Sequence, residues 1–288
     1  MEKAYIVLQR TNSTSVKGPF CFLKVANEDE QMDLALWDTA EDMPPKMGEL
    51  VYFREGGIKT QGDRKSCARL DISCRGLAPE THPLYALIPR PIKREEWDRT
   101  VDNLIGMMTN DKIATLFRQQ ADALFDKYLL FPAATSVHHA FPGGLLNHTH
   151  QMLHMLEGLY PVLPYPDEVK VDRLAIAILF HDYGKMYEYD QEGNVQEDMA
   201  LLGHIYLGAN KLQNIMLQAK IDWEEVKRTI HIVLAHHGQL EYGSPVLPCT
   251  SEAAIVTYLD NISAKTDTIH GSAHMDRVRA LGTNVVKE

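Results

Sequence analysis

Five apolar segments in the last two-thirds of this chain each place a histidine or an aspartate within or beside a stretch that has to be buried. They read LLNHTHQMLHML, AIAILFHDYGKM, LLGHIYLG, IHIVLAHHGQLEYGSP and AAIVTYLDNISAK. A buried carboxylate without a partner costs several kcal/mol, and a buried imidazole needs its hydrogen bonds met. A chain that does this five times must bring those groups together around something that compensates them. One shared metal centre does so for all five. The expectation is therefore a helical bundle whose interior faces converge on one point.

The helices can be read singly. From about Arg94 the apolar period is near 3.6. Val101, Leu104, Ile105 and Met108 form one stripe; Ile113, Leu116, Phe117, Leu124 and Tyr128 form another. At about 100° per residue, Leu145, Met152, Leu153, Leu156 and Leu159 share one helix face, with His148 at its edge. His150 and His154 lie opposite, beside Asn147 and Glu157. Such an i,i+4 pair can clamp a metal, but its polar side predicts exposure, so His148 is the better candidate. Leu174 to Phe180 is apolar all round and delivers His181 and Asp182 to the interior. Alone, that pair reads as a satisfied core contact; here Gly184 and Lys185 follow, ending a helix with a cation close to the carboxylate. Lys185 can also complement the helix dipole, the lesser of its two readings.

His204 shares a predicted helix with Leu201, Ile205 and Leu212. Asp222 and Glu225 look like a capping box. The helix they open carries Val226, Ile230, Val233 and Leu234 on one face, with His237 on it and His236 at its border; His231 points elsewhere. Asp260 lies among Ile255, Val256, Tyr258, Leu259 and Ile262.

Residues 1–78 read differently. YIVLQR, PFCFLKVA, MDLALWD, ELVYFREGGIK and ARLDISCR are rich in β-branched and aromatic residues. Turn formers separate them at Asn27–Glu30, Met43-Pro44-Pro45 and Thr60–Asp63. About five strands in this length suit a small closed barrel of the OB-fold kind. Pro79, Pro83, Pro89 and Pro91 mark residues 79–93 as a linker of limited flexibility. Residues 94–288 form the expected all-α domain, with its metal core at 130–268.

With 45% hydrophobic and 24% charged residues, wholesale disorder is excluded. The net charge of −10 argues against a surface coated for gripping duplex nucleic acid. A metal centre can still supply local positive charge. No secretory h-region and no apolar run of about 18 residues occur, so a cytoplasmic protein is expected. The cysteines (Cys21, Cys67, Cys74, Cys249) form no CxxC pair and read as free, mostly buried thiols.

The order His148, His181-Asp182, Asp260 resembles the HD superfamily of phosphohydrolases, whose all-α fold binds metal through such residues. His204, His236 and His237 match the additional histidines of members that hold two metals. Read together, HHAFPGGLLNHT, FHDYGK, LLGHI, AHHGQLEYGSPVLP and YLDNISAK resemble the YhaM family of bacterial 3′-to-5′ exoribonucleases, which join an N-terminal OB-fold to an HD domain. The likeness runs by motif from about residue 130 to 268, and by architecture over the β region.

The resemblance implies phosphodiester hydrolysis on single-stranded nucleic acid, RNA ahead of DNA. Asp182 would bridge two divalent metals, with His148, His181 and Asp260 completing one site and His204, His236 and His237 the other. Lys185 would contact the phosphate. Mixed nitrogen and oxygen donors suit Mn²⁺, the first expectation, as well as Fe²⁺, Co²⁺ or Zn²⁺. Tyr242 and Ser244, in the turn after His237, either touch substrate or only shape that turn. In the β domain, Phe20, Phe22 and Trp37 could stack bases while Lys59, Arg64, Lys65 and Arg69 follow phosphates, although strand aromatics are usually core and loop cations usually solvated. Two other readings stand beside this one. A nucleotidase or cyclic-nucleotide phosphodiesterase of the same superfamily would not need a barrel domain. A non-catalytic nucleic-acid-binding module should have lost some of the donors. A homo-oligomer is compatible with the sequence, which does not decide it.

Overall fold

The computed structural model describes residues 3–39, 43, 45–62, 64–134, 138–164, 168–190, 195–272, 277–278 and 281–286. Pro44 and Asp63, assigned above to turns, lie outside them. The chain divides into two compact units, Met1–Arg90 with Gly271–Glu288, and Pro91–His270.

The first unit is a curled half-barrel, consistent with an OB-fold. Besides a short pair, Arg277–Val278 with Thr283–Asn284, that departs from the all-α expectation for residues 94–288, its strands are β1 (Ala4–Ser15), β2 (Gly18–Ala26), β3 (Gln31–Trp37), β4 (Glu49–Phe53), β5 (Ile58–Gln61), β6 (Arg64–Ala68) and β7 (Ile72–Leu77), the seven of the main sheet. They form one sheet in the order β5-β6-β3-β2-β1-β4-β7, with only β3 and β6 parallel. The count exceeds the five expected because ELVYFREGGIK is broken into two strands and Arg64–Ala68, nearly all of it ahead of ARLDISCR, forms a strand of its own. Gly56, at φ +72, turns the chain between β4 and β5, and a 3₁₀ turn at Arg69–Asp71 separates β6 from β7. The order leaves β5 and β7 as edges, so the sheet stays open where a closed barrel was expected.

Alternation sets the faces. Cys21, Leu23, Leu34, Leu36 and Cys67 fill the concave core. On the other side of β1 and β4, Ile6, Leu8 and Leu50 are covered by Ala78 and Leu84. Much of the proline-rich stretch is thus packed onto this unit through a 3₁₀ turn at Pro83–Leu87, not free as a linker. The segment after His270, assigned by sequence to the helical domain, also clusters here: Lys24 Nζ donates to Gly271 O at 3.2 Å, and Gln31 Nε2 donates to the same oxygen.

Among its described residues, the second unit is all-α apart from an isolated bridge, Tyr189 with Val195. Its helices are α1 (Arg94–Met107), α2 (Asp111–Tyr128), α3 (Gly144–Leu159), α4 (Val171–His181), α5 (Lys185–Glu188), α6 (Glu197–Leu201), α7 (His204–Gln218), α8 (Trp223–Ala235) and α9 (Ser251–His270). The all-apolar α4 is the axis. Leu174 to Phe180 are all buried, and α2, α3, α7, α8 and α9 pack around them. Near the start of α4, Arg173 donates to Glu225 of α8 and Glu252 of α9, tying three helices together. This corrects the capping-box reading: Asp222 accepts from Glu224 N at 2.9 Å, but the Glu225 carboxylate is engaged by Arg173. Among the described residues, no helix is long and apolar enough to cross a membrane.

Candidate metal centre

The end of α4 builds the centre. His181 is its last residue, Asp182 its C-cap, and the turn through Gly184 brings Lys185 back over the carboxylate. Gly184 is required by packing. A Cβ there would stand 2.7 Å from His204 C and closer still to its Cα and O. Gly208, one turn into α7, meets Phe180 O in the same way, at 2.5 Å. These two glycines let α7 begin against the end of α4. His204 was expected mid-helix with Leu201; it is instead the first residue of α7, because Gly203, at φ +74, separates α6 from it.

The seven predicted side chains are brought together. His148 Nε2 lies 3.2 Å from His181 Nε2 and 3.2 Å from Asp260 Oδ1. Asp182 Oδ2 is 3.5 Å from His148 Nε2 and 3.3 Å from His181 Nε2. The other oxygen, Asp182 Oδ1, is 3.6 Å from His204 Nε2 and 3.8 Å from His236 Nε2, and His237 Nε2 is 3.2 Å from His204 Nε2. Two clusters result, each with donor atoms within 4.8 Å of one another: His148, His181 and Asp260, and His204, His236 and His237. Asp182 stands between them with one oxygen toward each.

All five imidazoles present the same nitrogen. His181 Nδ1 is bonded to Ile178 O at 2.7 Å, His236 Nδ1 to Val233 O at 2.6 Å, and His237 Nδ1 to Tyr242 O at 2.7 Å. His204 Nδ1 meets Glu188 Oε1 at 3.1 Å. His148 Nδ1 meets Ser263 Oγ at 2.9 Å; that hydroxyl donates onward to Gln151 Oε1, so it accepts from the ring. Every partner is an acceptor. In the neutral ring the proton is therefore on Nδ1, and Nε2 carries its lone pair inward.

This arrangement passes a test for a cation. With protons on Nδ1, the paired Nε2 atoms at 3.2 Å are lone pair against lone pair, which calls for a positive charge between them, either a proton or a metal ion. Asp182 Oδ1 and His236 Nε2 are buried and have no hydrogen-bond partner. Burial would raise the Asp182 carboxyl, but Lys185, 2.7 Å away, and His181 outweigh it and hold it well below the ordinary range. Asp260 is likewise kept ionised against its burial, by its hydrogen bond to His148 first and then by His181. Burial, reinforced by His237 and His181, keeps His236 neutral. Ionised carboxylates and neutral imidazoles are the forms that ligate divalent metals.

Other predicted residues divide. His236 is fully buried and His237 half-buried, the reverse of the expected order, because α8 turns Val226, Thr229, Ile232 and Val233 inward. His154 is exposed as expected, but His150 is buried: α1 covers that side, and Thr100 Oγ1 lies 3.2 Å from His150 Nε2. The Tyr242 ring is exposed, while Ser244 is buried with its hydroxyl donating to Leu234 O, the bond of a turn-closing residue. In the β unit, Phe20 stacks on Trp37 at 4.7 Å and meets Phe22 edge-on at 5.1 Å, on the face opposite the core. Strand register puts Lys59 level with Phe22 on that face, and Arg64 two residues along from Ser66 of the same rung. Lys65 alternates to the other side, and Arg69 donates to Ile72 O. Sequence reasoning missed Glu188, Ser263 and Gln151, the groups that orient His204 and His148.

An all-α unit with five inward Nε2 atoms and two ionised carboxylates has the donor set of a metal-binding domain. The family model of the HD domain matches residues 145–265, which run from α3 into α9 and contain all seven side chains. HD domains bind divalent metals, and the match supports a metal-dependent phosphohydrolase. No solved structure matches the chain.

Proposed function

We propose that this hydrolase is a 3′-to-5′ exonuclease acting on single-stranded RNA, in the manner of the YhaM family whose motifs it resembles. The observation that supports a polymer substrate is the aromatic face of the half-barrel. Phe22 is 54% exposed beside the Phe20–Trp37 stack, with Lys59 and Arg64 on the same face, a combination suited to stacking bases and following phosphates. A nucleotidase has no use for it.

At the centre, His148, His181, Asp182 and Asp260 would hold one divalent ion, and Asp182, His204, His236 and His237 a second. Bound ions supply Lewis-acid stabilisation of the phosphate oxygens and an activated water. The chain's own contribution is positional. The Nδ1 bonds fix five rings, and Asp182 spans both clusters. Lys185 stays charged: burial would lower its pKa, but Asp182 raises it above the ordinary value. An ammonium has three N–H donors, of which Asp182 takes one, so Lys185 can also bind a phosphate oxygen.

Single-stranded RNA labelled at the 5′ end and, separately, at the 3′ end tests this with Mn²⁺ present. The 5′ label should shorten through a ladder, and the 3′ label should appear at once as a mononucleotide. Asp182→Ala should abolish both while remaining helical by circular dichroism. Cleavage of mononucleotides or cyclic nucleotides with the RNA left intact would refute the proposal.

A further inference from the structure

The two clusters are unequal in charge. The first combines two imidazoles with Asp260 and the shared Asp182; the second has three imidazoles and only the shared Asp182. A third carboxylate is buried directly behind the second cluster. Glu188, the last residue of α5, is 4% exposed. Its Oε1 accepts from the backbone N–H of His204 at 2.7 Å and from His204 Nδ1 at 3.1 Å.

His204 is the one imidazole of the five with a carboxylate behind its Nδ1; the others use carbonyl oxygens or the Ser263 hydroxyl. A carboxylate in this position fixes ring and tautomer, makes Nε2 more basic, and adds negative charge next to the cation. The cluster with the weaker anionic complement is thus the one so reinforced. The same oxygen also anchors the ring to the first turn of α7, so ring and helix are set together.

We propose that Glu188 is a positioning residue that makes the second cluster a metal site, so that loading of the second ion depends on it. The inference rests on the metal-centre reading above. The competing role is purely structural: Glu188 satisfies the first N–H of α7, as a capping group does.

Glutamine separates the two, because its Oε1 can accept both hydrogen bonds but brings no charge. Metal-free full-length protein, Glu188→Gln and Glu188→Ala would each be titrated with Mn²⁺ by calorimetry, and bound metal counted by atomic emission. Wild type should take up two equivalents. Glu188→Gln should bind the first as wild type does and the second about 10–100-fold more weakly. Glu188→Ala should lose the second, with the first retained if thermal melting shows it folded; should it fail to fold, the Gln variant decides. Two equivalents at wild-type affinity in Glu188→Gln would overturn the assignment and leave a cap. A wild type that binds fewer than two would instead remove the binuclear reading, and the role of Glu188 with it.

Discussion

Gly184→Ala gives the most direct test of how the centre is assembled. Gly184 has φ −67 and ψ −17, a conformation alanine adopts readily, so any effect is steric. The added Cβ would stand 2.7 Å from His204 C, and nearer to two other backbone atoms, where 3.4–4 Å is ordinary contact. Backbone cannot swing aside as a side chain can. Either the first turn of α7 or the turn from Asp182 to Lys185 must retreat by about 1 Å to restore contact distance. Overpacking of this kind costs about 1–3 kcal/mol, which a folded domain survives. The melting temperature should fall by roughly 2–12 °C. Function is less tolerant, since productive constellations hold to about 0.5 Å and a 1 Å displacement can cost about 10²-fold. Hydrolysis of bis(p-nitrophenyl) phosphate with Mn²⁺ should therefore drop by about two orders of magnitude. The loss should come with weakened uptake of the second metal equivalent, because His204 moves while α3 and α9 do not. Gly106→Ala is the control: nothing lies within 4 Å of a Cβ there, and the protein should be slightly stabilised with full activity. A Gly184→Ala enzyme with wild-type turnover and two bound equivalents would refute the account of the α4–α7 junction.

Three further outcomes are expected. Arg173→Ala leaves the buried Glu252 and half-buried Glu225 without their cation and should cost about 3 kcal/mol in urea denaturation at pH 7. The Arg173 hydrogen bond depresses the Glu225 pKa below its ordinary 4.5, so this stabilisation is present above 4.5 and fades as the pH falls through the folded value. The gap between variant and wild type should narrow in that window, and a gap unchanged by acid would contradict the linkage. Chelation should lower the melting temperature while the far-ultraviolet spectrum stays helical, since Lys185 still partners Asp182 without metal; returning Mn²⁺ at about 100 times its dissociation constant should restore about 2.7 kcal/mol. Phe22→Ala should weaken binding of a single-stranded oligonucleotide, measured by fluorescence anisotropy, by about 1–3 kcal/mol while leaving small phosphodiester hydrolysis intact; undiminished binding would remove that ring from the interface.

What the sequence disclosed about the centre, and what it withheld, follows from how far each signal reaches along the chain. The helical domain and the seven donors were legible because a buried polar group inside an apolar stripe is visible without knowing its neighbours. His150 was misjudged for the same reason in reverse: period 3.6 shows that it lies opposite Met152, but not that α1 covers that side with Trp97 and Thr100. Glu188 had no local signature, for in KMYEYD it reads as a surface charge. Other supports had one. Gln151 follows His148 by three residues and Ser263 follows Asp260 by three, the spacing that puts side chains on one helix face. His181 and His236 stand at the ends of α4 and α8, where the last four carbonyls lack helical partners. Each ring bonds the carbonyl three residues back, so the helix end itself sets the tautomer that turns Nε2 inward. A histidine closing an apolar helix is thus predisposed to present Nε2 to whatever follows, which gives the two dipeptides, His181-Asp182 and His236-His237, a physical reason to sit where their helices stop.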